Sequence, residues 1–351
     1  GVRLVGSEMC IRDSNNKYNR YNFTFRNSWD IVKNVLSMDM GLFYIKQNNQ
    51  NSNGQGMYYN PLVPIYLFPP SDDINKYAVY ERYDADRNFK TQYWPYGNQG
   101  LGMQNPYWII NRNMFNTDRD RYIISLSMKW NITNWLNIIG RARIDNAYTD
   151  FERKLYASTD GLFAKSQGNY MNQEDKNTST YLDFLVNVDK KFGENYHLLV
   201  NLGGSFYDEK YKSDTFEGNL VGVPNFFHPS NIPSTESNYN KSELHTQTQS
   251  IYGKAEIGYR NFLYADVTGR IDWFSTLVGT SKEYVCYPSA GLSVILSEIL
   301  PLPEKIISFW KIRGSYAQVG NPPSAYLPYA TVALENGNAT SANFTPASHL
   351  K

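Results

Sequence analysis

Five aromatic residues in one polar stretch offer the clearest means of gripping a ligand: Tyr93, Trp94 and Tyr96, then Tyr107 and Trp108. Flat aromatic faces suit sugar rings or peptide side chains in a binding cavity. The competing assignment is packing within a loop, or contact with a lid. The adjacent carboxylates Asp72 and Asp73 invite a glycosidase or a calcium site. Neighbouring residues of an extended chain point apart, however, and no second acidic cluster stands at a matching spacing. Neither a glycine-rich phosphate loop, nor a nucleophile elbow, nor an HExxH element occurs. His197, His228, His245 and His349 lack metal-ligand spacing, and Cys10 and Cys286 are the only cysteines. The expectation is a chain that is not an enzyme, with no cofactor and no metal site.

The balance of the composition points the same way. A formal net charge of +1 over 351 residues supplies no field for nucleic acid, which is excluded as a partner. Aromatic residues reach 15% while the mean hydropathy is −0.53, so the chain is aromatic-rich yet polar. No window approaches the roughly 20 consecutive apolar residues of a membrane helix, so any membrane assignment has to be a β-barrel.

The elements that would position these residues read at period two throughout. Tyr21, Phe23 and Phe25 alternate with Arg20, Asn22, Thr24 and Arg26, and Leu36, Met38, Met40, Leu42 and Tyr44 follow with Ser37, Asp39 and Gly41 opposite. The cleanest run sets Tyr122, Ile124, Leu126, Met128, Trp130 and Ile132 against Ser125, Ser127, Lys129 and Asn131. Further runs begin near Leu136, Leu182, Leu198, Gly253, Leu263, Ala290 and Trp310, making ten. Short connections, near residues 29–34, 132–135, 189–196, 260–262 and 297–308, alternate with long ones at 46–119, 147–177, 208–248 and 272–284. The last short one is expected to carry a helical turn.

That asymmetry, short turns at one end and long loops at the other, belongs to outer-membrane barrels. Lys and Arg keep almost wholly to one face of the runs, as expected where a charge at the bilayer midplane costs about 2–4 kcal/mol. Aromatic residues gather at run ends, Tyr122 with Trp130 and Trp310 with Tyr316, where girdles would meet the headgroups. The fold expected is all-β: a transmembrane antiparallel up-and-down barrel, seen as a wall of about ten strands from a larger one, with long extracellular loops and short periplasmic turns. Arg141, Arg143, Asp145, Lys254, Glu256, Arg270 and Arg313 would then line the lumen. A soluble or surface-displayed all-β carbohydrate-binding protein would show similar alternation, and a passive porin would share the barrel.

Residues 1–14, GVRLVGSEMCIRDS, look foreign to the rest and resemble a translated sequencing-adapter read. They are set aside from fold reasoning. Cys286 is then left without a partner.

Two blocks resemble a known family. Asn105, Pro106, Tyr107 and Trp108, then Asp118–Tyr122 and the segment Trp130–Arg143, are similar to the mid-barrel region of SusC/RagA-like TonB-dependent outer-membrane transporters. Tyr287–Glu298 (YPSAGLSVILSE) and Phe309–Asn321 (FWKIRGSYAQVGN) resemble a second block of that family, in the family's order. Ile271–Tyr284 departs from its usual Arg-Asp-Gly-Ser-Ser-like loop. The resemblance runs through residues 15–351 and implies part of a TonB-dependent receptor barrel, with the plug domain, TonB box and closing C-terminal strands absent from this sequence. It implies glycan or oligopeptide uptake at the cell outer membrane, with lipid around the barrel, a SusD-like lipoprotein lid and energy from TonB-ExbB-ExbD. The lumen charges would either tune what enters or form salt bridges that support the plug.

Overall fold

The computed structural model describes residues 2–9, 15–51, 58–97, 103–280, 282–300, 307–327, 331–335 and 338–343, so Cys10 and His349 lie outside the described residues. In chain order the strands are β1 (Val2–Met9), β2 (Lys17–Val32), β3 (Leu36–Gln50), β4 (Glu81–Asp84), β5 (Phe89–Gln92), β6 (Asn113–Asn131), β7 (Leu136–Tyr156), β8 (Gly168–Phe192) and β9 (Tyr196–Asn219). They continue as β10 (Ser237–Tyr259), β11 (Leu263–Phe274), β12 (Tyr284–Ile295), β13 (Lys311–Ala317), β14 (Thr331–Glu335) and β15 (Asn338–Asn343). Short helices α1 (Leu62–Tyr66) and α2 (Pro106–Arg112) lie between β3 and β6.

All ten alternating runs are strands of one 11-stranded antiparallel sheet, ordered β1-β2-β3-β6-β7-β8-β9-β10-β11-β12-β13. Sequence neighbours pair throughout, so the sheet is an up-and-down meander whose one excursion, between β3 and β6, holds the β4–β5 hairpin. The foreign-looking segment supplies β1, pairing from Val2↔Phe25 to Met9↔Tyr18. A sheet edge accepts any extended chain, so this pairing is compatible with either origin.

Register does the sorting. One cross-strand row runs Met38–Met128–Gly140–Phe184–Gly204–Ile251–Ile271, and the row one residue away runs Ser127–Arg141–Asp183–Ser205–Ser250–Asp272. With a side-chain period of two, the whole apolar set therefore falls on one face and the polar set on the other. Their burial is inverted relative to a water-soluble sheet: Phe184 and Ile251 are 51% and 62% exposed, whereas Asp183 and Ser250 are 6% and 4%. Curvature explains this, because side chains converge on the concave face and splay apart on the convex one. The polar face is concave and the apolar face convex, and the curved sheet stays open between β1 and β13 among the described residues.

The tight turns sit at one end, where Asn34, Gly193 and Asn261 take the left-handed conformation with φ of 61°, 60° and 60°. A 3-10 turn, Leu296–Glu298, follows β12 as the sequence suggests. The other end differs from expectation. β8, β9 and β10 run for 25, 24 and 23 residues, so the long connections shrink to 157–167 and 220–236. About 9–11 residues suffice to cross a bilayer, and the surplus is mainly polar, with Tyr170 and Phe216 packed in a small apolar cluster. On the convex side His245 bonds Asp208 at 2.6 Å and Lys212 pairs with Glu243 at 3.1 Å, above the apolar band. The buried hydrophobic residues lie at this end as well, with Leu155, Trp108, Leu220 and Ile232 among them.

Candidate functional site

The excursion between β3 and β6 is built around Asn105. Its side chain accepts from the Tyr107 backbone N–H at 2.8 Å, capping α2, and donates to the carbonyls of Tyr77 and Tyr93 at 2.9 and 3.0 Å. Pro106 occupies the first helical turn, where its missing N–H costs nothing. Trp108 is buried and donates its indole N–H to Thr159 Oγ1 at 3.1 Å, and Thr159 donates to Asn113 at 3.0 Å. The NPYW element is therefore a clasp that ties the loop to the β7–β8 connection.

Tyr93, Trp94 and Tyr96 come together around Tyr77, with ring centroids 5.3–5.8 Å apart, and Phe68 closes the cluster 5.3 Å from Tyr96. Tyr77 and Phe68 carry no sequence signal beyond being aromatic in an aromatic-rich stretch. Of the five expected ligand contacts, Tyr93, Trp94, Tyr96 and Tyr107 stay half-buried. Trp108, enclosed in the clasp, offers no face to a ligand. Arg82 stacks on Tyr93 at 3.3 Å from its centroid.

Asp72 anchors this cluster. Its carboxylate accepts from Lys76 at 2.8 Å, Tyr77 at 2.6 Å and Tyr96 at 2.7 Å. These donors, Lys76 foremost, hold the Asp72 carboxyl well below the usual carboxylate range, and the same bond raises the Tyr77 phenol. Asp73 caps the next turn by accepting from Asn75 N–H at 3.0 Å. Both carboxylates are engaged by donors of their own loop.

On the concave face each expected lumen residue stands in an ion pair. Arg141 pairs with Asp183 at 2.5 Å, Arg143 with Asp145 at 2.9 Å, Arg270 with Asp272 at 2.6 Å, Lys254 with Glu256 at 2.8 Å and Arg313 with Asp266 at 3.9 Å. Arg121 forks onto Asp145 through Nε at 2.8 Å and a terminal nitrogen at 2.6 Å. Tyr252, lying across Gly203, also donates to Asp183. Of the partners, Asp183 and Asp266 stand on the polar faces that the alternation assigns and Arg121 lies in the family-like run Asp118–Tyr122, while Asp272 shares the polar parity of β11 without other signal. Nearer the tight turns, Asn201 donates to Asn187 at 2.6 Å and Asn187 to Asn137 at 2.8 Å, a ladder across β9, β8 and β7.

A family model described as TonB dependent receptor-like, beta-barrel matches residues 66–350. The chain belongs to the TonB-dependent receptor-like β-barrel family. Solved structures agree in fold. The RagAB peptide importer in its "open-open" state aligns with a TM-score of 0.68 at 14% identity, over 93% of this chain and 35% of that one. The RagAB peptide transporter aligns at 0.67 and 14% identity, over 94% and 36%, and the "closed-closed" importer at 0.64 and 14%, also over 94% and 36%. At such identity the likeness is one of fold. This receptor-barrel chain thus spans about a third of the length of the solved chains it matches. No curated protein sequence matches it.

Proposed function

We propose that this chain is part of the wall of an outer-membrane importer of the SusC type, taking up oligopeptides or glycans. The observation that carries the reading is the inverted sheet: an exposed convex face of Leu, Ile, Phe and Val ending in aromatic residues, over a concave face of paired charges. Such a surface is stable where hydrocarbon covers the convex side, since open strand edges and exposed apolar rows are costly in water. Further strands of a longer protein would close the barrel, and a plug would seat against the paired charges.

Tyr93, Trp94, Tyr96 and Tyr107 would contribute to the substrate vestibule or to the seat of a SusD-like lid. TonB-ExbB-ExbD would supply energy through the plug. The fold likeness to a peptide importer favours peptides, while the aromatic loop equally suits sugar rings, so the substrate class follows from uptake measurements.

The test is a deletion strain complemented with the complete gene. The reading expects the product in the outer-membrane fraction, with mobility on cold gels that changes on boiling. Growth on the imported nutrient would require TonB. Growth that persists without TonB would indicate a passive porin, and a product released without detergent would indicate a soluble β-protein.

A further inference from the structure

The paired charges of the concave face are layered. In each of the best-formed pairs the carboxylate lies against the wall and the guanidinium stands toward the lumen. Asp145 and Asp183 side chains are 11% and 0% exposed, while Arg143 and Arg141 are 50% and 47%. A solute inside therefore meets cations first, although the formal charges nearly cancel. The Arg143–Asp145 pair opens onto a cleft of about 460 Å³ lined by Arg119, Arg121 and Arg143 with Asp145, Tyr181 and Tyr207. Arg121 precedes Tyr122 in the outer aromatic girdle, so the cleft lies at the outer boundary of the bilayer, below the rim formed by the long strands, on the path of an entering solute.

Asp145 cannot neutralise three arginines, because it already receives a fork from Arg121 and a further bond from Arg143. Glu209, also on the cleft, accepts from Asn177 at 3.3 Å. Among the described residues the Arg119 side chain makes neither an ion pair nor a hydrogen bond, and its Nε is buried without a partner. An unanswered guanidinium nitrogen at such a position is costly unless something else completes it. Planar, forked donors are matched by a carboxylate.

We propose that Arg119, Arg121 and Arg143 form a carboxylate-binding subsite at the outer end of the lumen, so that the imported substrate is acidic. The proposal rests on the import reading and deepens it. An acidic oligopeptide and a uronic-acid oligosaccharide share the chemistry.

The complete receptor, purified in detergent and shown by heat-modifiable mobility to hold its barrel, would be titrated calorimetrically with tri-glutamate and tri-galacturonate. Tri-glutamine and maltotriose serve as neutral partners of equal length. At least one acidic probe should bind where its neutral partner does not, and whichever binds names the source. Arg119→Gln, which strands no carboxylate, should weaken that binding about tenfold, the worth of one charge-assisted hydrogen bond. Glu209→Gln should tighten it, an opposite sign that a purely structural role would not produce. The proposal is overturned if neither acidic probe binds at millimolar concentration, if neutral probes bind as well, or if Arg119→Gln moves both classes alike. Failure of the import reading would show separately, as loss of the heat-modifiable barrel or as uptake independent of TonB.

Discussion

Leu126 allows the placement of the convex face to be tested at one residue. It lies midway between Trp130 and Tyr122, so at about 3.4 Å per residue each girdle is roughly 14 Å along the strand, or about 10 Å in depth at the usual tilt. Its side chain projects from the convex face beside Met40 and Ala142, and the next residue, Ser127, projects from the concave face beside Arg141. Leu126→Lys should therefore cost about 2–4 kcal/mol, a 30- to 1000-fold shift in the unfolding equilibrium. Ser127→Lys should cost less than about 1 kcal/mol, from facing a like charge. A buried protein core would also reject Leu126→Lys, so the deciding variant is Leu126→Trp. Hydrocarbon accommodates the larger ring with little change, whereas a packed interior would lose about 1–3 kcal/mol to overpacking. Urea unfolding of the complete receptor in lipid vesicles, followed by fluorescence, reads all three. If Leu126→Trp is as disruptive as Leu126→Lys, a second protein layer covers the apolar rows and the membrane assignment is wrong.

Three further outcomes are expected. Asn105→Ala removes the α2 cap and leaves the Tyr77 and Tyr93 carbonyls without their donor, a local loss of about 2–4 kcal/mol; limited proteolysis should then cut within 58–97 while the cold-gel barrel band persists. Because the folded Asp72 carboxyl lies below its ordinary value, its contribution is present above the unfolded pKa and disappears as pH falls through the lowered one. Protection from hydrogen exchange around Tyr77 and Tyr96, corrected for the intrinsic acid catalysis of exchange, should accordingly persist at about pH 4 and fall only in stronger acid, and Asp72→Asn should abolish that dependence. At Gly203 an added Cβ would meet the Phe184 carbonyl at 2.7 Å and the Tyr252 ring at 2.8 Å. Gly203→Ala should displace Tyr252 from Asp183 and cost about 1–3 kcal/mol, less in a Tyr252→Ala background, as a double-mutant cycle would measure.

The wall was legible because hydrocarbon enforces a strict code. From Leu136 to Ile144 and from Leu182 to Val188 every second residue must tolerate lipid, and the period survives in the sequence. Beyond the girdle both faces meet water, and the code lapses: Asn172–Thr180 reads NQEDKNTST, which looks like loop yet lies inside β8. The i, i+2 pairs Arg143–Asp145 and Arg270–Asp272 share a face by period alone, whereas Arg141–Asp183 needs the register of β7 against β8. The aromatic loop was legible as a cluster but not as a mechanism. Nothing local distinguishes Trp108, enclosed at the clasp, from Trp94, half-open beside Tyr96, since the difference depends on Thr159 arriving from another part of the chain.

The surplus length of β8, from Gly168 to Tyr181, has a consequence for how the cell surface meets this molecule. At about 3.3 Å per residue and the usual slant it lifts the rim roughly 30 Å above the headgroups, like a parapet. Antibodies and phage would encounter ladder-bonded flanks whose backbone cannot yield, so epitope tags should be accepted at exposed crest positions such as Leu162 and Val223, and not within the strands or at the packed Thr159, Leu220 and Ile232.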